Sequence, residues 1–327
     1  MDVVGLDIGG ANTKAAVVGG DAAPRVLSEP YEIWRDLGGL TAAIAGVVAG
    51  LDAPGAPVAL TTTAELSDVF ASKREGVARV LDAAQKALPG RELRVFTTAG
   101  ELVGMAVARE HPLEVAAANW LASAMLVARS VPDAIFVDCG GTTTDVIPVA
   151  AGAVAARGRT DVERLRHGEL VYTGALRTNV AAIVQRVPLA AGDCPVASEL
   201  FAISADAYLL LGRLSPEQCT CSFPDGRGPS PEEVQARLAR VVCADPEQLA
   251  DGDLEAVAAA VEAAQVEAIA AALGRMAPAP VVAVGVGTFL ARAAAERCGL
   301  ALHDAGPLSG AGGDVAAAVA LSVLGRG

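Results

Sequence analysis

Apolar residues fall in short runs broken by glycine and hydroxyl clusters, and the spacing within each run predicts an alternation of strands and helices. Strands are expected over 3–8, 14–19 and 25–33, followed by helical spacing over 37–50, a Pro/Gly turn at 53–57 and a short strand at 58–62. Val77, Val80, Leu81, Ala84 and Leu88 recur every three or four residues, so 76–88 reads as an amphipathic helix that stops at Pro89-Gly90. A strand at 93–97 and a small-residue helix at 114–129 carrying Asn119 and Trp120 close the first half. The plan then repeats. Strands at 134–139, 144–149 and 152–156 precede a long irregular stretch, 157–228, with helix-like islands. Helices at 231–242 and 253–275 lead to a strand at 281–284, a glycine turn opening a helix at 289–297, and a short strand near 299–302. A glycine-rich segment, 306–313, precedes a last helix at 313–324. Such interleaving predicts an α/β protein of two related domains, 1–113 plus 306–327 and 114–305, with a ligand site between them.

One pattern occurs twice, 131 positions apart: Asp7-Ile8-Gly9-Gly10-Ala11-Asn12-Thr13-Lys14 and Asp138-Cys139-Gly140-Gly141-Thr142-Thr143-Thr144-Asp145. Each copy lies between apolar runs, so each reads as strand, glycine turn, strand. A turn of glycines and hydroxyls exposes backbone N–H groups to an anion. The aspartate closing each first strand supplies charge for Mg²⁺. Lys14 is one of only three lysines, with Lys73 and Lys86, and so stands out beside the first turn.

Net charge of −13 opposes any sequence-independent grip on nucleic acid or an anionic membrane. An anionic ligand then depends on local glycine turns, helix N-termini and a metal ion. No apolar run reaches the ~20 residues of a membrane span without small or polar interruptions, and Met1-Asp2-Val3-Val4 lacks a basic leader, so the expected location is the cytoplasm. Cysteines 139, 194, 219, 221, 243 and 298 form no Cys-x-x-Cys pair and read as reduced thiols, with a soft-metal site at Cys219, Cys221 and Cys243 the minor alternative. His111, His167 and His303 read as surface or capping groups.

The strand 58–62 runs into Thr61-Thr62-Thr63-Ala64-Glu65-Leu66-Ser67-Asp68-Val69-Phe70-Ala71-Ser72-Lys73. Hydroxyls, two acids and a lysine thereby gather at one strand mouth, where α/β folds place their chemistry. Local physics equally allows a helix cap on Thr63 or Ser67 with the charges in solvent.

The two turns, with Gly285-Val286-Gly287-Thr288 between strand and helix, resemble the nucleotide cleft of the actin/Hsp70/sugar-kinase superfamily. That resemblance implies two actin-like ATPase (ribonuclease-H-like) domains. It casts Gly9, Gly10, Asn12, Thr13, Lys14, Gly140, Gly141, Thr142 and Thr143 as phosphate-binding, with Gly285, Gly287 and Thr288 as the adenosine-side turn. The segment Thr63-Ala-Glu-Leu-x-Asp-x-Phe-x-x-Lys-x-Glu-Gly-Val is similar to a hydantoinase-A-related branch linked to tetrahydromethanopterin-dependent one-carbon transfer. Also similar are Ala118-Asn119-Trp120, Gly168-Glu169-Leu170-Val171-Tyr172-Thr173-Gly174, Arg177-Thr178, Glu199-Leu200-Phe201-Ala202 and the stretch from Arg237 to Asp245. Two departures stand out. Thr replaces a serine in the second turn, and Cys219-Thr220-Cys221-Ser222-Phe223-Pro224-Asp225-Gly226 replaces a shorter Thr-x-Asp-Gly.

The branch implies a synthase of the methanofuran/methylofuran pathway, joining an aminomethyl-furan-methyl diphosphate to a tyramine- or tyrosine-type phenol with release of pyrophosphate. Under that resemblance Asp7, Asp138 and Asp145 organise Mg²⁺, and Glu65 is the base or amine anchor, with Asp68 and Lys73 nearby. Asn119, Trp120, Tyr172 and Arg177 contribute to the phenolic partner. Use of ATP and a homodimeric state stay open. The alternatives are an ATP-dependent small-molecule kinase or hydantoinase/oxoprolinase-like hydrolase, and a non-catalytic nucleotide-binding module.

Overall fold

A computed structural model of the chain describes residues 2–19, 23–305, 308 and 315–326. In chain order the strands are β1 Val4–Ile8, β2 Asn12–Val17, β3 Arg25–Pro30, β4 Val58–Thr62, β5 Leu93–Phe96, β6 Leu102–Gly104, β7 Ala134–Cys139, β8 Thr144–Ala150, β9 Ala153–Val154, β10 Leu170–Val171, β11 Arg186–Leu189, β12 Gly192–Pro195, β13 Val281–Val284 and β14 Leu302–His303. The helices are α1 Leu40–Ala49, α2 Lys73–Ala87, α3 Met105–Glu110, α4 Asn119–Ser130, α5 Asp161–His167, α6 Val180–Ile183, α7 Ser204–Leu210, α8 Pro231–Arg240, α9 Asp253–Leu273, α10 Thr288–Arg297 and α11 Ala316–Leu324.

Two compact units emerge: Met1–Phe136, Ile147–His167 and Asp304–Gly327 form the first, Val137–Val146 and Gly168–His303 the second. The first unit is built on a sheet ordered β3-β2-β1-β4-β5-β6. Its centre, β1 beside β4 beside β5, is parallel, and a parallel strand covered on both faces carries an unbroken apolar run. All five residues of β1 are buried accordingly. Leu6, Ile8, Leu60, Ile44, Val48, Val77, Val80 and Leu81 form part of one core shared with α1 and α2. α11 closes the sheet so tightly that a Cβ on Gly5 would fall 1.8 Å from the Ala318 carbonyl oxygen. Ser322 fastens it, accepting from the Val18 N–H at 2.9 Å and donating to the Val3 carbonyl at 2.7 Å.

The second sheet runs β10-β8-β7-β13-β14 with β9 on β8, and β11 and β12 form a separate hairpin. In the second unit Arg237, fully buried, donates to Asp206 at 2.8 Å, to Asp225 at 3.1 Å and to the Gly228 carbonyl at 3.0 Å. Its guanidinium lies 4.2 Å from the Phe223 ring centroid. The departing Phe223-Pro224-Asp225-Gly226 segment is thus tied to α8 and α7 by a buried ion-pair network. α9, at 21 residues, is long and apolar enough to cross a membrane by length and composition. Here Val257, Val261, Ile269 and Leu273 are buried within the second unit, and Val257 and Val261 join its core.

Several expected boundaries move for physical reasons. α2 begins at Lys73 because Ser72, not Thr63 or Ser67, caps it, accepting from the Glu75 N–H at 3.2 Å. α4 begins at Asn119 because Pro112 opens a separate single turn and Ala117 adopts φ +51°. The stretch 157–228, read as irregular with helix-like islands, holds the short helices α5, α6 and α7 and, unexpectedly, the β11–β12 hairpin. Residues 306–307 and 309–314, which include most of the expected glycine-rich segment and the start of the last helix, lie outside the described residues.

Candidate active site

In the first unit the register brings Lys14, Asp7 and Thr61 side by side on β2, β1 and β4, with Thr13, Ile8 and Thr62 forming the next row. Asp7 is 4% exposed. Past β4 the chain makes one tight turn, in which the Thr62 hydroxyl accepts from the Ala64 N–H at 3.1 Å and donates to Glu65 Oε2 at 3.2 Å. Glu65 is only 1% exposed. Its Oε1 has no hydrogen-bond partner among the described residues, and neither do Asn12 Oδ1, Thr61 Oγ1 or Trp120 Nε1. Burial raises the Glu65 carboxyl to about 7, against the smaller opposing effects of its own backbone N–H, the Lys73 charge and the Thr62 hydroxyl. α2 presses on this turn: a Cβ on Gly76 would lie 2.6 Å from the Glu65 Cα, so only glycine allows the approach.

Neighbouring segments complete the cluster. The Ala117 N–H donates to the Thr62 carbonyl at 3.1 Å, which brings the start of α4 to the end of β4. Trp120 is buried beneath the Arg164 guanidinium, 4.3 Å from its ring centroid. Asp161 lies 3.7 Å from Arg164 and receives the Lys73 ammonium at 2.7 Å. Of the residues expected at this mouth, Asp68 is exposed. Asp161 and Arg164, both on α5, carry no signal in the sequence, since they sit 88 and more residues from Lys73.

The duplicated turns close alike. The first glycine of each donates across it, Gly9 to the Asn12 carbonyl and Gly140 to the Thr143 carbonyl, both at 2.9 Å. Those two N–H groups are therefore spent inside the turn, which leaves the other N–H groups of each turn for an anion. The next carbonyls are pinned as well. Gly10 accepts from Ile33, Ala11 from Tyr31, Gly140 from Ala175, and Gly141 from both Leu176 and Arg177. Across a trans peptide the N–H points opposite to the C=O, so the Ala11 N–H in one turn and the Gly141 and Thr142 N–H groups in the other are aimed away from these braces.

In the second unit the turn Gly285–Thr288 sits against the glycine hairpin. The Gly287 N–H donates to the Cys139 carbonyl at 2.8 Å, and a Cβ on Gly285, at φ +99°, would lie 2.8 Å from Asp138 Oδ1. The Thr288 hydroxyl closes that turn onto the Gly285 carbonyl. The brace at 173–178 is itself held by Gln265, fully buried, whose amide donates to Thr173 Oγ1 at 2.5 Å and to the Gly174 carbonyl at 3.0 Å. The Tyr208 hydroxyl donates to the other end of that amide. Sequence reasoning missed Gln265 and Tyr208, buried in helices far from any motif. Gln265→Leu is expected to cost about 1–3 kcal/mol, read as a lowered urea midpoint, because it strands the buried Tyr208 hydroxyl and removes the amide donor from Thr173 and Gly174.

The hydantoinase/oxoprolinase family profile matches residues 57–324. The chain belongs to the hydantoinase/oxoprolinase family. A relative from Methanocaldococcus jannaschii, named (4-{4-[2-(gamma-L-glutamylamino)ethyl]phenoxymethyl}furan-2-yl)methanamine synthase, is 37% identical over 253 residues, 77% of this chain and 74% of that protein. A protein of the same name from Methanococcus vannielii is 37% identical over 115 residues, 35% of this chain and 51% of that protein. Among solved structures, a nucleotide-free acetone carboxylase aligns with 91% of this chain and 67% of its own at TM-score 0.59 and 12% identity. A ROK family glucokinase from Streptomyces griseus with glucose and AMPPNP aligns over 100% of both chains at TM-score 0.50 and 16% identity. These structures share the fold, that of the actin-like ATPases and sugar kinases. Within this hydantoinase/oxoprolinase member, Glu65, Lys73, Trp120 and the second glycine turn fall inside the family span, whereas the first turn precedes it.

The expected site residues divide by unit. Asp7, Gly9, Gly10, Asn12, Thr13, Lys14, Glu65, Lys73, Asn119 and Trp120 lie in the first, and Asp138, Gly140, Gly141, Thr142, Thr143, Asp145, Tyr172, Arg177, Gly285, Gly287 and Thr288 in the second. Tyr172 is 54% exposed, and the Arg177 backbone braces the turn. Among the described residues no three His, Cys, Asp or Glu side chains come together as a metal cage. Asp138 and Asp145 nevertheless flank one turn, a set that suits Mg²⁺, which takes one or two carboxylates and completes its shell with water and phosphate oxygens. Cys219 and Cys221 point their thiols toward the Ser215 and Leu176 carbonyls at 3.7 and 3.9 Å.

Proposed function

We propose that this chain is a transferase that joins an aminomethyl-furan-methyl diphosphate to the phenol oxygen of a tyramine- or tyrosine-type acceptor, glutamylated or not, and releases pyrophosphate. The observation that carries the reading is Glu65, buried, raised to about 7, with one carboxylate oxygen left unpartnered at a strand mouth lined by hydroxyls. An ordinary phenol has a pKa near ~10 and reacts poorly until a base takes its proton. The relatives' name supports a furfuryl aryl ether as the product of this family branch.

In the proposed reaction the phenolic proton passes to Glu65 Oε1 while the phenol oxygen bonds to the furfuryl carbon. The carbon–oxygen bond to the diphosphate breaks, and its electron pair leaves with pyrophosphate. The N–H groups of Ala11, Gly141 and Thr142 are the backbone donors assigned to diphosphate oxygens, with Lys14 as the cation. Asp7, Asp138 and Asp145 would hold Mg²⁺, which when bound neutralises charge on the departing group. Asn119, Trp120, Tyr172 and Arg177 are assigned to the acceptor. Because Glu65 must be ionised to act, turnover is expected to rise as pH increases through about 7.

The test is a mass-spectrometric assay of purified protein with the diphosphate, tyramine and Mg²⁺, with and without ATP. Ether and stoichiometric pyrophosphate without ATP are expected. ATP consumption with no ether from any acceptor would move the chain to the kinase or hydrolase class.

A further inference from the structure

Glu65 is packed between two elements of unlike character. β4 contributes only hydroxyls, with Thr62 reaching Oε2 at 3.2 Å. α2 contributes Gly76, whose missing side chain lets the helix sit on the Glu65 backbone, and Lys73, three residues earlier on the same helix face. Glu75, also in the first turn of α2, is turned back onto the Ala71 N–H at 3.0 Å. Lys73 is the cation of this face, and its ammonium is held at 2.7 Å by Asp161 from the start of α5. Asp161 in turn lies 3.7 Å from the buried Arg164. Two cations thus meet at one carboxylate, and the Lys73–Asp161 pair, two-thirds or more buried, is screened less than a surface pair.

We propose that Asp161 is a positioning residue: by holding the Lys73 ammonium it sets the proton affinity of the Glu65 carboxyl. The two members of the pair act on Glu65 with opposite sign. Lys73 favours the carboxylate and Asp161, the weaker of the two influences, favours the acid, while burial dominates both. Breaking the pair from either side therefore moves Glu65 in opposite directions. A purely structural ion pair would not do this, since its loss from either side would loosen the same contact in the same way. The functional consequence rests on the proposed role of Glu65 as the base for the phenol.

The experiment is a carbon-13 NMR titration of the full chain labelled at glutamate carboxyls, with the Glu65 resonance assigned by its loss in Glu65→Gln. The wild-type midpoint is expected at about 7. Asp161→Asn should lower it and Lys73→Met raise it, each by on the order of one pH unit, while Lys73→Arg leaves it in place. Shifts of both charge-removing variants in the same direction, or no shift in either, would overturn the proposal. The pH profile of ether formation separates the two readings. Displaced midpoints with an unmoved activity limb would retire Glu65 as the base and leave the control of its ionisation standing.

Discussion

Glu65→Gln is expected to abolish most turnover and to stabilise the fold at the same time. Loss of a positioned base costs ~10²–10⁴-fold in rate. The stability gain follows from linkage. Glu65 is raised from 4.5 to about 7 by burial, so across that window the folded chain binds a proton that the unfolded chain has released. Native stability then falls as pH rises from 4.5 to about 7, and stays reduced above it. Glutamine, neutral throughout, escapes the loss. The variant should gain about 2–3 kcal/mol at pH 8 and nothing below pH 4.5, read as a Tm difference that grows with pH. A variant that is inactive yet no more stable at pH 8 than at pH 4 would contradict the buried, proton-binding state of this carboxyl.

Gly285→Ala is expected to be the most damaging single-methyl change in the second unit. The residue sits at φ +99°, a conformation that L side chains rarely adopt, and its Cβ would meet the Cys139 carbonyl oxygen at 2.2 Å. The obstacle is backbone, so no rotamer change relieves it. The turn Gly285–Thr288 must move away from Asp138, and with it the Gly287 N–H that now donates to Cys139. A cost on the order of 3–5 kcal/mol is expected, measured as a urea midpoint, together with lost affinity for pyrophosphate by calorimetry. Full pyrophosphate affinity in a destabilised variant would detach this turn from diphosphate binding.

The contrast between what the sequence discloses and what it conceals is local against distant. Both glycine turns are legible because a tight hairpin leaves its mark within eight residues, and the copies at Asp7 and Asp138 corroborate each other. Glu65 is legible as a residue at a strand mouth, and the strand 58–62 appears where the apolar run places it. Its protonation is not legible, because the burial that raises it comes from α2 pressing through Gly76. Nor is the partner of Lys73, an aspartate 88 residues away on a seven-residue helix too short to show a periodic stripe. The β11–β12 hairpin escaped because Pro188 and Pro195 argue against strands, and both sit in a two-stranded ribbon whose outer edges need no N–H. The cap that the sequence allows on Thr63 or Ser67 falls instead on Ser72, because any hydroxyl can cap. The upstream hydroxyl Thr62 is engaged with the Glu65 turn, and Ser72 takes the cap.

The measurement that tests the central claim most directly follows the phenol oxygen. Tyramine carrying oxygen-18 in its hydroxyl would be supplied with the furfuryl diphosphate and Mg²⁺, and the products weighed by mass spectrometry. Attack by the phenol on carbon requires an ether that retains the label and a pyrophosphate without it. Label in an aryl phosphate would mean attack on phosphorus, as in a kinase, and unlabelled ether would mean that the phenol carbon–oxygen bond breaks. Either result would contradict the assignment of Glu65 as the base that arms a phenol.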